Sequence, residues 1–301
     1  MSFKYKAFGL VIESVIEIPE LLNATNGAVD VQLVYNEIPN FESEFINEFD
    51  WYCFVDDSLC FVVNDVARFK VSKGSLIEVD RFEGADDDNV RLFTLGSAIA
   101  AILHQRSLLP IHASAVEING EAVLFSADSG FGKSTTCLAF QKEGFNVVSD
   151  DVCVLSVDDK GAVYIYPGYP QVKLWKESLI YFDEEETKHR RLRENEEKFG
   201  VRVRDTFLDK SKIPVKSIFF LDKKEQDGVN VNELKGLDKL IYLQSNIFRP
   251  FFQQKNQVKQ NFSKIGQVAN SVDFYSIIRP KTGFYTDEII QKVLQLVNDN
   301  I

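Results

Sequence analysis

The stretch from Ile111 to Asp151 constrains this chain most. It predicts a strand, an Asn-Gly turn, a second strand, a glycine-rich loop, a helix and a third strand that ends in two carboxylates. The loop, Ala127–Ser134, reads ADSGFGKS. It fits the phosphate-loop pattern G-x-x-x-x-G-K-[ST], with alanine in place of the first glycine. A nucleoside triphosphate with Mg²⁺ is therefore the first hypothesis for its ligand.

The residue types of this loop have separate physical tasks. Gly130 and Gly132 let backbone N–H groups face an anion, and the next helix directs its N-terminus at the same point. Lys133 would reach the β- and γ-phosphates, and the Ser134 hydroxyl would serve the metal. Ala127 is the exception, because alanine at a position that needs positive φ costs about 1 kcal/mol. The predicted nucleotide-binding residues are Asp128, Ser129, Gly130, Phe131, Gly132, Lys133, Ser134 and Thr135.

Two carboxylates follow the strand after the loop helix. Asp150 and Asp151 stand where a phosphate-loop protein keeps its metal-binding acid. One could hold Mg²⁺ together with Ser134, and the other could accept the proton of an incoming hydroxyl. His112 opens the strand that pairs with the one leading into the loop, so its ring is expected near the phosphates. With Lys133 these form the predicted catalytic set, although a structural turn and a structural histidine stay open as alternatives.

The rest of the chain predicts an α/β protein with two domains. Short β-branched and aromatic runs, separated by turn residues, indicate a small antiparallel β-rich module over residues 1–87. A helix at about Asn89–Gln105 then opens an α/β domain over residues 88–301. Strands alternate there with helices, and two predicted hairpins make the sheet mixed.

The segment 183–212 is densely charged and lacks apolar periodicity. It predicts a solvated helix or a mobile loop. Its basic residues, together with one lysine upstream, are the candidates for contacting phosphates or an acidic acceptor. These candidates are Lys173, Lys198, Arg202 and Arg204.

The composition limits the classes of binding partner that this chain could have. There are 34 lysines and arginines against 45 acidic residues, a formal net charge of -11. Such a surface repels nucleic-acid backbones and anionic lipid, so neither is expected as a main partner. The four cysteines show no zinc-ligand spacing, and neither a signal peptide nor a spanning apolar run is evident. We therefore expect a soluble cytoplasmic protein.

These motifs resemble the HPr kinase/phosphorylase superfamily. The resemblance rests on His112, the loop DSGFGKS and the pair Asp150 and Asp151. It implies a phosphate-loop core of the HPr kinase/phosphoenolpyruvate carboxykinase type that uses ATP and Mg²⁺. It also implies that His112 lies by the γ-phosphate, that Lys133 and Ser134 hold phosphates and metal, and that the acids supply metal binding and the base.

The resemblance extends beyond the motifs. Leu92–Ala115 and Tyr166–Trp175 are similar to an HPr-kinase-like subgroup that includes kinases of lasso-peptide and other ribosomal-peptide biosynthesis. The long glycine-containing signature of authentic HPr kinases is reduced here to Pro167–Trp175. The resemblance therefore implies phosphorylation of a serine hydroxyl on a peptide or protein, without specifying HPr, and leaves homo-oligomerisation open.

Two other functions stay open. A nucleotide-regulated switch would bind without phosphotransfer, although no N-K-x-D base-recognition motif follows a later strand. A small-molecule kinase would share the core of the carboxykinases, although no metal-ligand cluster beyond the acid pair supports it. Serine kinase activity is the leading hypothesis.

Overall fold

The computed structural model describes residues 2–45, 51–193 and 196–299. It divides the chain into two compact units. The first is Met1–Leu108 with Arg249–Gln260, and the second is Leu109–Phe248 with Asn261–Ile301. The boundary drawn from the sequence near residue 87 lies ahead of a helical segment that belongs to the first unit.

The first unit contains an eight-stranded sheet. Its strands are β1 (Phe3–Ala7), β2 (Leu10–Ser14), β3 (Leu22–Asn23), β4 (Val31–Tyr35), β5 (Tyr52–Val55), β6 (Ser58–Val63), β7 (Ala67–Ser72) and β8 (Leu76–Arg81). Their order is β3-β1-β2-β4-β8-β7-β6-β5. The prediction of an antiparallel module is wrong here, because β4 runs parallel to both β2 and β8. Turn residues mark where strands end, but a crossover connection rather than a hairpin sets the direction of β4.

The predicted helix at Asn89–Gln105 is an interrupted one. It consists of α1 (Asp87–Phe93), a π turn over Thr94–Ala98 and α2 (Ile99–Gln105). The Asp86 side chain caps its start by accepting a hydrogen bond from the Asp88 N–H at 3.0 Å. Gln105 fastens its end to the first sheet by donating to the Val71 carbonyl and accepting from the Gly74 N–H. These bonds explain why the segment belongs to the first unit.

The second unit contains a mixed sheet, as predicted. Its strands are β9 (Leu109–Ile111), β10 (Ala113–Ile118), β11 (Glu121–Ser126), β12 (Asn146–Ser149), β13 (Cys153–Val157), β14 (Val163–Tyr166), β18 (Ile213–Lys224), β19 (Asn230–Glu233) and β20 (Asp273–Pro280). The order is β12-β10-β11-β18-β14-β13-β9, with β20 beside β18 and β19 beside β20. Strands β11, β18 and β20 are mutually parallel, whereas β10 is antiparallel to β11 and β12.

A second, three-stranded sheet in this unit corrects the prediction for residues 183–212. β15 (Gln171–Trp175), β17 (Glu196–Arg202) and β16 (Arg190–Arg193) lie side by side in that order. A solvated helix or mobile loop is wrong for this stretch, because Phe199 and Val201 are buried in the core of the unit. The alternation of these strands cannot be recognised in the sequence, because the few apolar residues stand among many charged ones.

Helices complete the chain. They are α3 (Lys133–Lys142), α4 (Lys176–Tyr181), α5 (Leu237–Ser245), α6 (Lys255–Ser271) and α7 (Thr286–Asp299). Gly144 follows the end of α3 with φ +92°, the left-handed conformation that commonly ends a helix. Pro250–Phe252 form a separate 3₁₀ turn before α6. No helix within the described ranges is long and apolar enough to cross a bilayer.

Candidate active site

The phosphate loop connects β11 to α3 and adopts the conformation that its glycines allow. Gly130 and Gly132 have φ of +81° and +105°, in the left-handed region. Ala127 is not among the residues with positive φ, and its side chain is 5% exposed within the hydrophobic core. The strain anticipated for alanine at the first motif position therefore does not occur.

Lys133 closes the loop on itself. Its ammonium donates to the carbonyls of Ala127 at 2.7 Å and Asp128 at 3.1 Å. Burial lowers the pKa of Lys133 to about 8, although the carboxylates of Asp151 and Asp150 act in the opposite direction. The loop thus holds a buried cation at the N-terminus of α3.

Asp150 is buried behind the loop and has a full set of donors. It accepts hydrogen bonds from the Ser114 hydroxyl at 2.5 Å, the Ser134 hydroxyl at 3.1 Å and the Lys173 N–H at 2.7 Å. The predicted pairing of Ser134 with one acid is therefore present. The other donors fix the orientation of this carboxylate.

Asp151 turns the opposite way and lines a cavity. Its backbone is left-handed, with φ +69°. The Lys173 ammonium donates to its Oδ2 at 2.7 Å. Burial alone would raise the pKa of Asp151, but the charges of Lys173 and Lys198 outweigh burial and hold that pKa well below its usual range. The carboxylate is ionised at neutral pH.

His112 lies against the backbone of Asp151. Its Nδ1 is 3.0 Å from the Asp151 carbonyl oxygen, which can only accept, so Nδ1 carries the proton. Burial and the charge of Lys133 lower the pKa of His112, with Asp151 opposing them. The ring is therefore neutral at pH 7, and its Nε2 holds a lone pair. His112 also lines the cavity, as the position of its strand predicts.

The three-stranded sheet brings a further cation to the site. Trp175 pairs with Lys198 across β15 and β17, and the Lys198 ammonium lies 5.7 Å from the Trp175 ring centroid. Lys198 and Lys173 line the cavity, whereas Arg202 and Arg204 do not. Arg202 pairs with Gln171 at the other end of the same two strands.

Other lining residues were missed from sequence. Lys223 lies near the end of β18, with its ammonium 4.5 Å from the Phe131 ring centroid. Arg279 lies near the end of β20, and its guanidinium lies beside Gly132. Lys281 and the aromatic residue Phe284 come next. The available signal was that carboxyl ends of parallel strands meet at one edge, where such sheets bind ligands.

The cavity measures about 400 Å³, a common size for a small-molecule site. Its acidic lining residues are Asp151 and Glu177. Its basic lining residues are Lys133, Lys173, Lys198, Lys223, Arg279 and Lys281. In a chain of net charge -11, this local excess of cations is suited to a polyanion.

The donors near Lys133 fit a magnesium ion shared with phosphates. They are the hydroxyl of Ser134 and the carboxylates of Asp150 and Asp151, all hard oxygen ligands. Within the described ranges, no cluster of three or more His, Cys, Asp and Glu side chains could hold a metal alone. Phosphate oxygens would have to complete the coordination, as is usual for Mg²⁺ with nucleotides.

Comparisons with known proteins find similarity in the part of the chain that contains the phosphate loop. A family model described as "SynChlorMet cassette protein ScmC" matches residues 76–185, which include the loop and both aspartates. The HPr kinase/phosphorylase of Lactobacillus gasseri is 37% identical over 106 residues, covering 32% of this chain and 33% of that protein. Its namesake from Lactobacillus johnsonii is 36% identical over the same length and shares of both proteins. The chain thus spans about a third of the length of these relatives.

Among solved structures, the Hpr(Ser) kinase/phosphatase from Coxiella burnetii is similar at 12% identity, with a TM-score of 0.35. The match covers 63% of this chain and 90% of that one. The narrower resemblance to kinases of ribosomal-peptide biosynthesis stays a prediction. The broader one is confirmed: over 106 residues, about a third of its length, this chain is similar to proteins named HPr kinase/phosphorylase.

Proposed function

We propose that this protein is an ATP- and Mg²⁺-dependent kinase that transfers the γ-phosphoryl group to a serine hydroxyl of a peptide or protein. The observation that supports the proposal is the different placement of two adjacent acids. Asp150 is buried against the Ser134 hydroxyl, whereas Asp151 lines the cavity beside Lys173 and His112. This placement suits one acid to the metal and the other to the proton of an incoming hydroxyl, whereas a hydrolase usually combines one acid with a separate Glu or Gln that orients water.

The triphosphate end of ATP would lie over the loop. Backbone N–H groups around Gly130 and Gly132 and the start of α3 would surround the β-phosphate. Lys133 would exchange its two carbonyl acceptors for phosphate oxygens. Ser134 and Asp150 would hold Mg²⁺, which neutralises charge on the phosphates when bound.

The acceptor end would lie at Asp151. Its ionised carboxylate would orient the serine hydroxyl and accept its proton, the task of the catalytic aspartate in protein kinases. Lys173 holds one carboxylate oxygen, and the His112 Nδ1–H holds the Asp151 carbonyl. Lys198 would add positive charge where the transferring phosphoryl group passes.

The acceptor class is supported by the resemblance and by the relatives' names. An HPr kinase acts on a protein, and the acidic surface of this chain disfavours nucleic acid and membrane as partners. We place the protein in the cytoplasm, where ATP is available, and leave self-association to measurement of its mass in solution.

The test is transfer from γ-labelled ATP to candidate peptides and proteins, including any encoded beside its gene. We expect label on serine with wild-type protein and none with Asp151→Asn. Release of inorganic phosphate without any labelled acceptor would contradict the proposal and favour a nucleotide switch. Label on a metabolite in a screened pool would favour a small-molecule kinase.

A further inference from the structure

The strand order gives the phosphate loop two distinct flanks. At the level of the loop, the order is β12-β10-β11-β18-β20, and the loop leaves β11 in the middle. The two aspartates follow β12, whereas Arg279 lies near the end of β20. Four inter-strand spacings of about 4.8 Å each separate these outer strands. A triphosphate on the loop with its terminal phosphate toward Asp151 therefore has its other end toward β20.

Arg279 connects the loop to the segment after β20. Its guanidinium lies where a Cβ on Gly132 would meet it at 3.8 Å. The same group donates to the carbonyls of Pro280 at 3.0 Å and Gly283 at 3.3 Å. A single side chain thus spans from the phosphate loop to the residue before Phe284.

Phe284 is an aromatic residue that lines the cavity. One face of its ring stacks on Tyr181, with ring centroids 4.1 Å apart and planes 16° apart. The Tyr181 hydroxyl lies 2.7 Å from Oγ1 of Thr286, which fixes that ring. Phe284 nevertheless stays 41% exposed and lines the same cavity as Lys133. An apolar ring kept exposed beside a polyanion site is suited to stacking a planar ligand group.

We propose that Phe284, supported by Tyr181, is the nucleobase subsite, and that Arg279 lies along the sugar–phosphate link between that base and the loop. The inference rests on the proposed function only in taking a nucleoside triphosphate as the ligand. Purine nucleotides should bind better than pyrimidine nucleotides, since the larger ring system covers more of the aromatic face.

The test compares magnesium complexes of ATP and inorganic tripolyphosphate by titration calorimetry, because the two share phosphates but not the nucleoside. We expect Phe284→Ala to raise the Kd for ATP at least about tenfold and to change the Kd for tripolyphosphate less than about twofold. Phe284→Leu, which keeps apolar volume without the aromatic face, should weaken ATP binding by a similar factor. Phe284→Trp should retain ATP binding.

Phe262→Ala is the matched control, because Phe262 is 67% exposed on α6 and does not line the cavity. This variant should leave the Kd values for ATP and tripolyphosphate unchanged. The inference is overturned if wild-type protein binds ATP no more tightly than tripolyphosphate, or if Phe284→Ala weakens both equally. Normal ATP discrimination in a protein that transfers no phosphate would instead contradict the kinase proposal and leave the subsite standing.

Discussion

The Lys173 ammonium lies 2.7 Å from Oδ2 of Asp151, and the side chains are only 8% and 17% exposed. Asp151 has a lowered pKa, so its contribution to stability is complete above its unfolded pKa near 4 and is lost as pH falls. Lys173 has a raised pKa, because the charge of Asp151 outweighs burial; its contribution is complete below about pH 10 and is lost at higher pH. The pair is therefore intact across the physiological range.

Breaking this pair from one side should destabilise the fold. Lys173→Met leaves the Asp151 carboxylate buried without its main partner, which should reduce the free energy of unfolding by about 3–5 kcal/mol. Lys173→Met with Asp151→Asn should recover much of that loss, because no unpaired charge is left. Urea unfolding at pH 7 measures both. A double variant no more stable than the single one would show that packing, rather than charge, carries the effect.

Asp151→Asn should separate transfer from binding. Loss of the base should reduce the transfer rate by about 10²-fold or more, whereas ATP binding should persist because the loop and Lys133 are unchanged. Single-turnover transfer and calorimetric titration give the two quantities. Asp159→Asn, at an exposed position in the β13–β14 turn, is the control. A parallel loss of binding and transfer would contradict the role given to Asp151.

Lys198 and Arg202 offer a matched pair on one strand. Lys198 lines the cavity, and its charge acts on His112, Lys133 and Asp151, whereas Arg202 is exposed and does not line it. Lys198→Met should lower kcat/KM for transfer about tenfold or more, and Arg202→Met should leave it within about twofold. Equal effects would mean that the general charge of β17 matters and the position does not.

Nucleotide affinity should fall at alkaline pH. The pKa of Lys133 is about 8 because the ammonium is buried, so the free protein loses this charge above pH 8. Polyphosphate binds the charged form, so binding takes up a proton there and affinity should drop by up to about tenfold per pH unit. Titrations between pH 7 and 9.5 measure the slope. Lys133→Arg keeps its charge and should give a flat profile if it binds; a flat wild-type profile would contradict the lowered pKa.

Replacing Ala127 by the glycine of the motif should improve neither ATP binding nor stability. Ala127 has no positive φ and packs in the core, so Ala127→Gly removes a buried methyl and adds backbone freedom to the unfolded chain. We expect the free energy of unfolding to fall by about 0.5–1 kcal/mol, with ATP affinity unchanged. Thermal unfolding and titration check this. Tighter ATP binding by the glycine variant would show that the alanine does restrain the loop.

Much of the candidate site could be read from one local stretch. The strand, loop, helix and acid pair between Ile111 and Asp151 lie close in sequence, and their geometry follows from the spacing of turn glycines and strand residues. His112 could be placed because a two-residue turn fixes hairpin register. The sequence by itself therefore determined the phosphate loop, the α/β class and the acids that accompany the loop.

Only the tertiary structure decided which other side chains lie around that loop. Arg279 and Phe284 reach it only because β20 pairs parallel to β18, and β18 to β11, an arrangement no local pattern encodes. Lys198 enters the cavity and Arg202 does not because of the β15–β17 register, which a run of charges cannot reveal. Asp150 and Asp151, adjacent in sequence, diverge because the left-handed backbone of Asp151 turns its carboxylate to Lys173 while Asp150 faces Ser134.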